Sequence, residues 1–388
     1  MTCHDTLIRM LTGRFGIGFN SCYHLTGEAL RKACLLLSAI MTKVLTCLFA
    51  IAIAVQHILF APLGFPPEMP TFLSRSYLVM FDPQAKFLPD VNPANPGKRI
   101  DILSQTVQEH YQDQIAPYAA FGSDLKREFK GTLFRLPLRT AEQAATSRLS
   151  TKVHSTDDLL DMLGAFLEEA QQSLLFLKNV AHIEVLHWQA WEEAPQCLWT
   201  CKIANPSKSL SEARALVPNA VAKFQKTALL EKKLGFKHTE SDYDLEVLVS
   251  RHGRCAAGLE GQVVNRWAVS VTCGDAKSDA GTIACNPDNY HLKLVPWVGV
   301  ASPTLGAPGA PLPNIRGRAF CFLPLPAETG LPVHVNGYFE LSSNRRDIWR
   351  GDDLAGEGRT RAQWNKALLQ GVSLVYRSCA VLIFACLC

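Results

Sequence analysis

From Val44 to Pro67 the chain runs for 24 residues without an Asp, Glu, Lys or Arg (VLTCLFAIAIAVQHILFAPLGFPP). A stretch of that length has two fates, burial in a protein core or passage through a bilayer, which needs ~20 apolar residues. Lys43 and the pair Arg31/Lys32 would hold its leading side in the cytoplasm. Gln56 and His57 inside the run, and Pro62, Pro66 and Pro67 near its end, speak against a membrane helix. A second apolar run, Cys379–Cys388, has only ten residues and is too short to span. These two runs account for a charged fraction of 19%, below the ~25% usual for soluble domains.

At 388 residues the chain is long enough for two domains, each with its own core. A net charge of +4 with no basic block argues against a nucleic-acid partner. The 13 cysteines are odd in number and irregularly spaced, and form no Cys-x-x-Cys. Cys197/Cys201 and Cys386/Cys388 have no His pair at zinc-ligand spacing, so the pattern reads as reduced thiols with no metal site. Met1–Thr12 has no apolar core of a secretory signal.

Periodicity supplies a coarse α/β reading. Tyr77–Phe81 reads as a buried strand stopped by Asp82-Pro83. Leu88–Lys98, broken by Pro89, Pro93, Pro96 and Gly97, reads as loop. Leu133–Leu138 reads as a strand after Gly131-Thr132, with Pro137 demoting its end to an edge. Ser155 opens a helix, with Asp157 and Asp158 favouring its positive end. Leu159, Met162, Leu163, Phe166 and Leu167 mark that helix's buried face. Leu174–Leu177 and Ile183–Trp188 flank Asn179 as a hairpin. Tyr243, Leu245, Val247 and Val249, and then Trp267, Val269 and Val271, alternate as half-buried strands. Gly299–Pro313, rich in Gly and Pro, reads as a loop or tether. Arg318–Leu325 and Val333–Leu341 read as strands joined through Pro326–Gly330, followed by a helix around Thr360–Gln370. No internal repeat is visible.

Three stretches carry chemistry. Gly13-Arg14-Phe15-Gly16-Ile17-Gly18-Phe19-Asn20-Ser21 brings backbone N–H groups close together, and a helix starting near Phe19 would aim its positive end at an anion. The same glycines also make an ordinary turn. Lys130–Pro137 sets Gly131 and Thr132 at the start of a strand, where a threonine hydroxyl can face a ligand or Thr can serve only as a β-former. In His334–Trp349 (HVNGYFELSSNRRDIW), Arg345 and Arg346 could reach a phosphate or simply form a solvated turn.

Taken in order, GRFGIGFNSCYHLT, YLVMFDP, NPGKRID, GTLFRLPLR, LLFLKNV and LPVHVNGYFELSSNRRDIW resemble the sacsin family and its plant relatives of the "no vein" type. The repeats of that family carry a GHKL ATPase domain of the ninety-kilodalton heat-shock-protein type. The resemblance covers Gly13–Thr26 and about Thr71–Gln370. It implies a truncated GHKL (Bergerat) α/β sandwich over residues 1–150 and a middle α/β domain over 151–370. Residues 27–70 are then an apolar insertion foreign to the family, and 371–388 an apolar tail equally foreign to it. Both read as translated non-coding sequence.

By the same resemblance, Gly13, Gly16, Gly18, Phe19 and Asn20 match the glycine lid over the nucleotide phosphates. Thr132 matches the adenine-side threonine, and Arg345 or Arg346 the middle-domain cation that reaches the terminal phosphate. The intact family uses ATP and magnesium. Ahead of Gly13, however, this chain shows no Glu-x-x-x-Asn helix and no Asp-x-Gly-x-Gly. It thus lacks a general base and a metal-holding Asn, and is expected to bind ATP weakly or not at all and to hydrolyse none. The implied role is that of a fragment of a chaperone or co-chaperone in the cytoplasm, working with seventy-kilodalton heat-shock chaperones on client proteins. Two alternatives stand beside it, a single-span membrane protein through 44–67 and an ATPase completed by a partner chain.

Overall fold

The computed structural model describes residues 57–385 apart from 62–70, 82–87, 89, 93–96, 111–117, 119–122, 138–140, 146–150, 178–179, 189–191, 232–234, 253–260, 305–314, 343–346 and 350–355. The chain divides into two mixed α/β units, Met1–Asp161 and Met162–Cys388.

In the first unit β1 (His57–Ala61), β2 (Thr71–Arg75), β3 (Tyr77–Phe81), β4 (Gly97–Asp101) and β5 (Phe129–Pro137) form a five-stranded sheet in the order β1-β5-β2-β3-β4. Short helices α1 (Gln105–His110) and α2 (Ala141–Ala145) accompany it. The strand expected at Tyr77–Phe81 is β3, and its alternation sorts the faces. Leu78 and Met80 are buried with Leu73, Ile100 and Ile102. Tyr77 is exposed, with the Arg99 guanidinium 3.5 Å above its ring. The segment Leu88–Lys98, read as loop, gives up its last two residues to β4.

Pro137 does sit where the ladder thins, since β2 pairs with β5 only as far as Arg135 while β1 pairs through to Pro137. β1 is the described part of the charge-free run, and it is a strand parallel to β5. Val44–Gln56 lies outside the described residues. Among the described residues no helix is long and apolar enough to cross a membrane.

Helix α3 (Thr156–Ser173) starts where the sequence predicts. Ser155 Oγ accepts the Asp158 N–H at 3.1 Å, and the Asp158 carboxylate accepts the Ser155 N–H at 2.9 Å. This reciprocal cap satisfies donors a helix start would leave open. The Ser155 N–H and hydroxyl hold the Asp158 carboxyl below its usual range. Leu159 and Leu167 are buried as expected, but Met162 is exposed.

The second unit is built on an eight-stranded sheet in the order β12-β11-β13-β10-β9-β8-β7-β6. Its strands are β6 (His182–His187), β7 (Gln196–Ile203), β8 (Thr239–Arg251), β9 (Gly261–Cys273), β10 (Trp297–Pro303), β11 (Arg318–Cys321), β12 (Leu323–Glu328) and β13 (His334–Gly337). The helices are α4 (Lys208–Glu231), α5 (Asp279–Cys285) and α6 (Glu357–Ala385). The helix expected around Thr360–Gln370 is the first part of α6, which continues unbroken, with Val372 and Val375 buried beyond Gln370.

Several sequence expectations are corrected here. Leu174–Leu177 is not a strand. It is a buried turn after α3, and β6 pairs instead with β7. The turn is held by Arg214 of α4, whose guanidinium donates to the carbonyls of Leu174, Leu177 and Val180. Gly299–Pro303, read as tether, belongs to β10, a strand buried along its whole length. A strand covered on both faces loses the alternation by which strands are recognised.

The covering is visible at neighbouring positions of β10, which face opposite ways. A Cβ on Gly371 of α6 would meet Val298, and one on Gly299 would meet Val271 Cγ1 at 2.7 Å and Phe176 at 3.3 Å. Glycine at 299 thus lets Phe176 close on the sheet. The same two-sided cover buries Ser270 of β9, expected on its solvent side, together with Ala268 and Thr272. Finally, Arg318–Leu325 is not one strand. Phe322 takes a left-handed conformation (φ 64°) that folds β11 back onto β12.

Candidate functional site

The residues assigned to nucleotide binding are not brought together among the described residues. Gly13, Gly16, Gly18, Phe19, Asn20, Arg345 and Arg346 lie outside them. Thr132 lies on β5, in register with Ser74 of β2. Among the described residues no cluster of three or more His, Cys, Asp and Glu could hold a metal ion.

The segment flanking the arginine pair is well defined. Leu341 and Ile348 form an antiparallel bridge, and the Ser342 N–H donates to the Asp347 carbonyl at 2.9 Å. Residues before and after 343–346 are thus tied to each other. Regular ladder stops at Gly337. Beyond it the Tyr338 N–H donates to the Trp297 carbonyl at 3.0 Å and the Trp349 N–H to the Glu340 carbonyl at 2.9 Å, and side chains of α6 add to these bonds. The Trp364 indole N–H donates to the Tyr338 carbonyl at 2.9 Å. Asn365 accepts the Glu340 N–H and donates to the carbonyls of Glu340 and Trp349, each at 2.8 Å. Glu340 is itself buried, with its carboxylate 3.7 Å from the Arg361 guanidinium. Asn336 is fully buried, and its side-chain oxygen accepts the Phe322 N–H at 2.8 Å, pinning the left-handed turn.

Next to this lock, a cleft of about 480 Å³ opens where β10 ends and β13 begins. Gln171 and Gln172 of α3, Asn265 and Trp267 of β9, Arg318 and His334 line it. His334 is 2% exposed and lies against the rings of Trp267 and Phe320, each 5.2 Å away. Its Nδ1 accepts the Arg318 backbone N–H at 3.1 Å, so in the neutral ring the proton sits on Nε2. Burial, helped by the Arg318 charge, depresses its pKa from 6.5 to about 4. As wired, His334 is a hydrogen-bond donor and not a base, because its lone pair is already engaged.

The arginines around the cleft are engaged as well. Arg318 reaches Glu169 at 3.5 Å and Gln172 at 3.2 Å, and Arg266 reaches Glu246 at 2.8 Å. The cleft is lined by amides, Trp267 and the charged Glu168 and Arg316, and among the described residues it brings no nucleophile–base pair together.

Two comparisons bear on what such a chain is. The sacsin domain family model matches residues 67–199. Human sacsin is 26% identical over 361 residues, covering 92% of this chain. The chain is sacsin-like. It spans about 6% of the length of that relative. The matched sacsin domain contains the five-stranded sheet from β2 onward, α3, β6 and the start of β7.

Sequence reasoning quoted His334, Asn336 and Glu340 but gave them no role, and it missed Asn365, Arg318 and Arg214. One signal was present for Asn365. It stands among Trp364, Leu368 and Val372, on the apolar stripe of its helix, where a polar residue must find a partner. Arg214 and Arg318 left no such trace, since the carbonyls that Arg214 reaches and the Gln172 and Glu169 side chains that Arg318 reaches lie tens to over a hundred residues away.

Proposed function

We propose that this chain is a segment of a sacsin-like chaperone or co-chaperone that assists protein folding together with seventy-kilodalton heat-shock chaperones in the cytoplasm. In this reading residues 1–150 are a truncated domain of the GHKL ATPase type, and 151–370 are the middle domain that follows it. The observation that carries the reading is the likeness to human sacsin along 92% of the chain. It is supported by a mixed sheet in which the Gly-Thr strand, β5, runs between β1 and β2.

Within residues 1–388 no Glu-x-x-x-Asn precedes the glycine cluster. The span by itself therefore supplies neither a base for the attacking water nor an Asn for magnesium, and it does not hydrolyse ATP. Two assays test the two halves of the proposal. Phosphate release with ATP and magnesium should not exceed buffer, and release that depends on the protein would refute the inactive site. Refolding of a denatured reporter by a seventy-kilodalton chaperone system should improve when the chain is added. An unchanged yield would refute the chaperone role.

A further inference from the structure

A sheet edge presents a row of unpaired N–H and C=O groups, which proteins block or use. The two edges of the eight-stranded sheet differ in this respect. β12 carries Pro324 and Pro326, whose rings replace the N–H a partner strand would need. β6, His-Ile-Glu-Val-Leu-His, has no proline.

The facing of β6 follows from one bond. The Ile203 N–H donates to the Ala181 carbonyl at 2.9 Å, so residues 181, 183 and 185 turn their backbone groups toward β7. By alternation, His182 and Glu184 turn theirs outward. The side chains of these two residues are exposed, while Ile183 between them and Val185 beyond them are buried. Neither makes an ion pair among the described residues; burial, with the Glu184 carboxylate nearby, pushes the Cys197 thiol up to about 11. Beyond Val185 a bulge shifts the pairing with β7, so the straight part of the edge is Ala181–Val185.

We propose that β6 is a self-association edge. Two copies of the chain pair antiparallel through His182–Glu184 about a two-fold axis at Ile183, joining their large sheets into one. In that register His182 of each copy stands opposite Glu184 of the other, an imidazole N–H against a carboxylate on both sides of the axis. A slip of two residues sets Glu184 against its symmetry mate or His182 against His182, so charge selects the register. A foreign extended peptide would find the same backbone groups, but the chain's own strand supplies the complementary pair in both directions.

Sedimentation velocity of the whole chain at rising concentration tests this. The expected result is a reversible monomer–dimer equilibrium. Glu184→Pro removes an outward N–H without touching a β6–β7 bond, and should weaken the dimer by about ten-fold or more. Glu184→Lys should also weaken it. Combining Glu184→Lys with His182→Glu reverses both partners and should restore it. If Glu184→Pro fails to fold, judged by circular dichroism, the charge-swap series decides alone. A chain that stays monomeric throughout, a dimer indifferent to these changes, or no rescue by the double variant would overturn the proposal.

Discussion

The Gly-Thr strand of the small sheet and the His334–Trp349 segment of the large one both read in sequence as places where a ligand is held. In the structure they are built differently. From Leu133 to Arg135 the small-sheet strand is ladder paired on both sides, and Thr132 pairs with Ser74 at its start, next to a bulge toward Arg75. In the other segment the named strand ends at Gly337, and beside a few backbone bonds the Tyr338 carbonyl, the Glu340 N–H and the Trp349 carbonyl are satisfied by Trp364 and Asn365. Regular pairing asks little of side-chain identity, because the backbone satisfies itself. Where pairing runs out under a helix, each N–H and C=O needs a particular side chain at a particular place. A long, specific motif can therefore record a demand of the fold and not of a ligand.

The contrast can be broken most forcefully at Asn365. Replacing it with Leu keeps the volume but leaves the Glu340 N–H and the Trp349 carbonyl without their partner, while the Glu340 carbonyl keeps only the Trp349 N–H. The expected loss is roughly 4 kcal/mol. All seven tryptophans lie within Met162–Cys388, so indole fluorescence during denaturant titration reads this unit alone. A loss below about 1 kcal/mol would mean that water or neighbouring groups replace the amide.

His334 sharpens the same point through pH. Its folded pKa, about 4, lies below its ordinary 6.5, so between these values the unfolded chain binds more protons than the folded one. The stabilisation from keeping the ring neutral is complete above pH 6.5. It is lost as pH falls from 6.5 toward 4, by up to about 3 kcal/mol. His334→Asn should flatten this part of the stability profile. An unchanged slope would place the titration in other groups.

At the small end, Arg316 and Glu328 form an exposed pair at 3.7 Å. Arg316→Ala should change stability by less than about 0.5 kcal/mol. A larger effect would show that charge on the cleft rim matters to the fold as much as the buried lock does.

What could be read in the sequence follows the same division. β3, the start of α3 and the alternation within β8 were legible because local pattern alone decides them. β10 was not, because a strand covered on both faces shows no alternation and carries glycine for close approach at 299. The turn at Leu174–Leu177 was hidden for a different reason, since it is held by Arg214 from another helix. α4, with Pro218 inside it, gave a weak periodic signal and was missed altogether. Of the candidate site, the motif was visible but its meaning was not. The partners of Tyr338 and Glu340 come from α6, and only the folded chain brings them together.

The central claim is that the His334–Trp349 segment is part of the folded frame of the large-sheet unit. Native-state hydrogen exchange at the Glu340 amide, which donates to Asn365, tests it most directly. The account predicts that this amide exchanges only when the whole unit opens, with the same denaturant dependence as the amides of β9 and β10. Fast exchange, insensitive to denaturant, would show a segment that opens on its own, and would contradict the account.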